Sequence, residues 1–190
     1  CKARISIRYP IVEALTGVLS WVVAAHFSVT WAALFALFLV WSLVALAFID
    51  ADTTLLPDDI TLPLLWLGLL VNCVSLFTPL HSAVIGAAAG YLVLWLVFWG
   101  FKLATGKEGM GYGDFKLLAA LGAWMGWQLL PVIILLSAAV GALIGIAGIL
   151  FLGRERGAKL PFGPYLAAAG FIALIWGRQL TEWYLGRMPG

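Results

Sequence analysis

The chain has 190 residues, of which 64% are hydrophobic and only 11% charged, and its mean hydropathy is +1.06. A water-soluble domain of this size is about a quarter charged, because its surface must be wetted, so the composition excludes an ordinary soluble domain and points to lipid as the solvent. The net charge of +2 is too small to argue for a nucleic-acid partner.

Charged residues fall in clusters at Lys2–Glu13, Asp50–Asp59, Lys102–Lys116 and Arg154–Lys159, with a looser tail from Arg178 to Arg187. Between them, Ala14–Ile49, Ile60–Phe101, Leu117–Gly153 and Leu160–Gly177 carry no Asp, Glu, Lys or Arg. One membrane crossing takes roughly 20 residues, so each of the first three runs has room for two crossings and the last for one. Polar, Gly or Pro residues mark a turn near the middle of each long run, at His26–Thr30, Thr78–Ser82 and Gly126–Pro131. The expected fold is therefore all-α, a polytopic membrane protein with about seven transmembrane helices near 11–26, 31–50, 60–77, 82–102, 114–126, 129–152 and 162–180. The fifth is short for a full crossing.

If each long run is a hairpin, all four clusters share one side of the membrane. Nine of the eleven basic residues then lie there, which the positive-inside rule makes cytoplasmic. Two acids on that side stand out. Asp50 ends the uncharged run Trp31–Ile49 and opens Asp50-Ala-Asp-Thr-Thr-Leu-Leu-Pro-Asp58, while Asp114 closes Gly109-Met-Gly-Tyr-Gly-Asp114 and starts the next helix. An ordinary interfacial acid, or for Asp114 an N-terminal cap, is the plain alternative. Asp59 is expected to cap the helix starting at Ile60. Three glycines in five residues, however, suit a backbone that bends sharply or lets another backbone approach closely. A pair of intramembrane acids also suits a proton- or ion-coupled transporter using Asp50 and Asp114, although such sites sit near the bilayer midplane.

Gly111-Tyr-Gly-Asp114, followed by Phe115-Lys116-Leu117-Leu118, resembles the GxGD signature of the type IV prepilin peptidases, an aspartyl protease family. Asp50, with Pro57-Asp58 after it, is similar to the family's other acidic motif; Arg8-Tyr-Pro-Ile-Val-Glu13 and Pro161-Phe-Gly-Pro-Tyr165 match further family segments. The resemblance implies a GxGD-type peptidase over residues 11–185 in the bacterial inner membrane, with its active site facing the cytoplasm. It would cut the basic leader from type IV prepilins or type II secretion pseudopilins after a Gly. Asp50 and Asp114 would be the catalytic pair, with Gly111, Gly113, Lys116, Pro57 and Asp58 as active-site motif residues. Pro161, Phe162, Gly163 and Pro164 either form a helix-start turn or line the substrate groove.

Partners implied are the prepilin substrate and membrane lipid. Proteolysis itself calls for no cofactor; in full-length relatives zinc is bound by two CxxC pairs, and S-adenosylmethionine serves methylation of the new N-terminus. Cys1 falls where the last of those four cysteines would stand, so residues 1–10 are expected to be the remnant of that segment, with peptidase but not methyltransferase machinery present. One thiol cannot make a tetrahedral zinc site. The acids Asp52, Asp58, Asp59 and Glu108 are expected to attract a Lys/Arg-rich leader. His26 and His81 read as turn residues, and Gly86-Ala-Ala-Ala-Gly90 and Gly141-Ala-Leu-Ile-Gly145 as close-packing stripes, internal or dimer-forming.

Overall fold

The computed structural model describes residues 6–106, 109–152 and 161–185, so Cys1, Lys2, Arg4, Lys107, Glu108, Arg154, Arg156, Lys159 and Arg187 lie outside the described residues. Within them the fold is all-helical: α1 (Arg8–Phe27), α2 (Trp31–Thr53), α3 (Asp58–Val71), α4 (Leu80–Thr105), α5 (Tyr112–Met125), α6 (Leu130–Leu152) and α7 (Gly163–Leu185). Local chemistry sets these ends. Pro10 sits in the first turn of α1, where a missing N–H costs nothing. The Thr30 hydroxyl accepts from the Ala33 N–H at 3.2 Å and caps α2. Thr54 ends α2 in a left-handed conformation (φ 53°), and Gly106 does the same for α4 (φ 71°). Pro57, not Asp59, occupies the N-cap of α3; Asp59 is the second residue of that helix and makes no cap bond.

The third helix is shorter than its apolar run suggests. It stops at Val71 because Asn72 is buried and turns its side chain to the backbone. The Asn72 amide donates to the carbonyls of Ala123 and Trp124, both at 2.9 Å, and its oxygen accepts from the N–H groups of Phe77 (3.0 Å) and Thr78 (3.1 Å). One buried amide thus closes a 3-10 turn at Asn72–Val74 and fastens it to the end of α5.

Four stretches are long and apolar enough to cross a membrane: Arg8–Phe27, Trp31–Thr53, Leu80–Thr105 and Trp127–Gly148. That fits a membrane protein, as does a surface on which Phe38, Trp66, Leu96, Leu143 and Phe151 are exposed. Helices α3 and α5 have 14 residues each, about 21 Å at 1.5 Å per residue, short of a hydrocarbon core about 30 Å thick. Seven full crossings are therefore not what the helix lengths display.

Helix α5 is the axis of the bundle. Every residue from Leu117 to Met125 is buried, and α3, α4 and α7 pack around it. Lipid tails are as apolar as Leu, so close packing and hydrogen bonds must hold such helices together. On α4, a Cβ at Gly86 would strike the Gly122 carbonyl oxygen, and one at Gly90 would lie 2.6 Å from the Leu118 carbonyl oxygen. The first small-residue stripe is therefore an internal seam between α4 and α5. In the second, Gly141 of α6 packs against the Tyr165 ring of α7. On the other side of α5 the Trp124 indole N–H donates to the Leu64 carbonyl at 2.8 Å.

Within the described residues, ion pairs bring the first three charge clusters together at one end of the bundle. Arg8 Nη2 meets Asp52 Oδ2 at 2.6 Å, which puts the start of α1 level with the end of α2. Lys116 Nζ meets Asp58 Oδ1 at 2.6 Å, which does the same for α5 and α3. At the opposite end, Asn72 joins α3 to the end of α5, and the Ser82 hydroxyl donates to Gln128 Oε1 at 2.6 Å. His26 and His81 stand at that opposite end, in the last turn of α1 and the first of α4.

Candidate active site

Asp50 lies in the last turn of α2 and Asp114 in the first turn of α5; each is 4% exposed. They line one cleft of about 380 Å³, walled by the α2–α3 turn, by Gly109–Asp114 and by Pro161 and Phe162.

Each acid is held by one oxygen to a glycine N–H. Asp50 Oδ2 accepts from Gly163 at 2.8 Å, and Asp114 Oδ2 accepts from Gly111 at 3.1 Å. The second bond is half of a capping box, in which the third residue of a helix satisfies the backbone of its N-cap. It leaves Asp114 Oδ1 buried and, among the described residues, as a side-chain oxygen with no hydrogen-bond partner. Buried polar atoms are nearly always paired, so this oxygen stands out among the groups of the cleft.

The glycines divide by role. A Cβ on Gly113 would lie 2.6 Å from the Leu56 Cβ, so this residue lets the α2–α3 turn press against the start of α5. A Cβ on Gly163 would lie 2.8 Å from Asp50 Oδ2, so only glycine brings that N–H to the acid. Gly111 is not crowded in this way; the nearest atom to its Cβ position is Asp114 Oδ2 at 3.7 Å, which keeps the approach to the carboxylate open. Pro161-Phe-Gly-Pro164 is the helix-start turn of α7, and its first two residues also line the cleft. The Phe162 carbonyl accepts from Tyr165 (3.1 Å) and Leu166 (3.1 Å) and so begins α7, while Pro161 and Phe162 line the cleft and Gly163 holds Asp50. Pro164 instead faces an apolar groove of about 440 Å³ between α1, α2 and α7, which neither acid lines.

Of the other expected site residues, Asp58 and Lys116 are drawn together at the rim: Lys116 Nζ donates to both Asp58 oxygens at 2.6 Å. Pro57 caps α3 directly before Asp58. The acids expected to attract a basic leader are partly spoken for, since Asp52 pairs with Arg8 and Asp58 with Lys116, while Glu108 lies outside the described residues. Cys1 also lies outside them. Among the described residues no three His, Cys, Asp or Glu side chains cluster as a metal site needs, so the described part supplies no zinc ligand set. Three features escaped the sequence reading: the Gly163 tether, the Leu56–Gly113 contact and the Asp58–Lys116 pair. A Gly wedged between Phe162 and Pro164 was the one local sign of the first.

Residues 37–146, more than half of the chain, match the type IV leader peptidase family. The chain belongs to this family. The resemblance carried by the GxGD and acidic motifs is thereby borne out, and nothing supports the transporter alternative. Among similar proteins, the prepilin leader peptidase/N-methyltransferase of Aeromonas salmonicida is 62% identical over 97% of this chain and 64% of its own length. That of Pseudomonas aeruginosa is 60% identical over the same shares, and that of Legionella pneumophila is 49% identical over 98% of this chain and 65% of its own length. The chain thus spans a little under two thirds of the length of these relatives. No solved structure matches it.

Proposed function

We propose that this chain is the peptidase portion of a prepilin leader peptidase, an aspartyl endopeptidase in which Asp50 and Asp114 are the catalytic pair. The observation that carries the reading is that two buried acids from different helices line one cleft, each tied through a single oxygen to a glycine N–H. Two carboxyls that share one buried cleft do not both ionise at low cost, so they hold one proton between them and titrate as a unit. The ionised member takes a proton from a water, whose oxygen attacks the scissile carbonyl carbon. The protonated member gives its proton to the carbonyl oxygen as charge develops there. The tetrahedral adduct then collapses, the C–N bond breaks, and the amine leaves with a proton returned by the pair.

In this reading residues 11–185 form a multi-pass peptidase domain of seven helices in the bacterial inner membrane, with the short α5 enclosed by its neighbours. The end bearing Arg8, Lys116 and the acids faces the cytoplasm, in keeping with the positive-inside rule. The substrate is a prepilin or pseudopilin whose basic leader is cut after a Gly. N-methyltransferase activity belongs to the relatives by name, and no step here runs through it.

The test replaces Asp50 and Asp114 separately with Asn and incubates membranes with a tagged substrate whose basic leader ends in Gly. Removing either acid should lower cleavage by at least about 10³-fold. Cleavage at the wild-type rate by either variant would remove the pair from the mechanism.

A further inference from the structure

Asp114 is fastened on both sides to the same short turn. One residue before it, Gly113 packs on Leu56; two residues after it, Lys116 binds Asp58 through both carboxylate oxygens at 2.6 Å. Leu56 and Asp58 belong to the turn that leaves α2 just beyond Asp50, reversing at Thr54, whose N–H bonds back to the Asp50 carbonyl at 2.8 Å. The path from Asp50 to Asp58 is therefore short and hydrogen-bonded, and it docks on α5 at two points bracketing Asp114. Asp58 opens α3, where the helix N-terminus favours its negative charge.

We infer that Asp58 and Lys116 are positioning residues: their ion pair is a strut that sets the separation of the Asp50 and Asp114 carboxyls. The inference rests on the catalytic reading above. The pair is partly open to solvent, with Lys116 26% and Asp58 51% exposed, and such pairs add little to net stability. Its value lies in geometry, because a misplacement of about 1 Å at a reacting centre can cost 10²-fold in rate. Both side chains line the cleft, but each charge already has the other as its partner. The strut therefore belongs in kcat rather than in KM.

Asp58→Asn, Lys116→Gln and the swapped double variant Asp58→Lys with Lys116→Asp test this in membranes carrying the full chain. Cleavage of a peptide with a basic leader ending in Gly is followed with kcat and KM read separately. Each single variant should lower kcat by about 10- to 100-fold with KM within about twofold. Thermal midpoints in detergent should stay near wild type, and the swap should recover at least tenfold over Asp58→Lys alone. Glu182→Gln, which breaks an exposed pair with Arg178 at the far end of α7, should cut at the wild-type rate. A rise in KM at unchanged kcat would make the pair a substrate contact and overturn the inference. So would unchanged kinetics, a swap that recovers nothing, or single variants that lose activity only by failing to fold. Cleavage by the Asp50→Asn or Asp114→Asn enzyme would instead overturn the catalytic reading itself, so the two failures are distinguishable.

Discussion

Replacing Gly163 with Ala tests how tightly the α7 start grips Asp50. The added methyl would stand 2.8 Å from Asp50 Oδ2, 3.0 Å from its Cγ and 3.1 Å from its Cβ. Carbon atoms rest about 3.5–4.0 Å apart, so the acid or the helix start must retreat by roughly half an ångström. The Gly163 N–H bond to Asp50, now 2.8 Å, then lengthens past the range of a good hydrogen bond. A hydrogen bond to a charged group is worth about 1.5–3 kcal/mol, and overpacking costs about 1–3 kcal/mol. The rate should fall by about 10- to 100-fold, most of it in kcat, because the displaced group is one of the two acids. Cleavage of the tagged prepilin substrate in membranes reads the rate, and a thermal midpoint in detergent shows whether the bundle still forms. A Gly163→Ala enzyme that keeps its midpoint and cleaves within threefold of wild type would refute the tether.

Two further changes test the frame that carries the acids. Asn72→Ala should destabilise the chain by about 2–5 kcal/mol, since it strips partners from two N–H groups and two carbonyls at the α3 end; Asn72→Asp should not rescue it, because a carboxylate cannot donate to Ala123 and Trp124. Both are read from thermal midpoints in detergent. Gly86→Ala should lower the midpoint by pushing α4 off the Gly122 carbonyl, whereas Gly17→Ala in α1, with nothing within 4 Å of the new methyl, should hold or raise it. The opposite order would sink the account of the α4–α5 seam.

Much of this arrangement was legible because charge is costly in lipid. The uncharged runs separate the charge clusters, and Arg8–Asp52 and Lys116–Asp58 join the first three of those clusters at one end of the bundle. The end of α3 was not legible. Asn72 is, with Ser75, one of two polar residues in the apolar stretch Leu64–Phe77, and its effect comes from carbonyls 51 and 52 residues away on α5, which no local pattern contains. The Asp59 cap failed for a local reason: Pro57, with its fixed φ, already starts the helix two residues earlier than Asp59 would require. At Pro161–Pro164 the helix-start turn is what forms, and the N-terminal turn of a helix is where a free backbone N–H is available to bind an acid.

That last point bears on why the site uses helix ends. The first N–H groups of a helix have no partner within it, and both acids exploit this: Gly163 at the start of α7 serves Asp50, and Gly111 at the cap of α5 serves Asp114. A side-chain donor in either place would need its own support inside an apolar bundle, where an unsatisfied polar group is costly. A backbone donor is fixed by the helix that carries it. The requirement this creates is steric, because a Cβ at Gly163 would occupy the space between the N–H and the carboxylate. Glycine at this position is thus the condition for a buried acid to be held without a second charged residue. It leaves Asp50 and Asp114 as the coupled charges deep in the cleft, while Lys116 is matched by Asp58 at the rim.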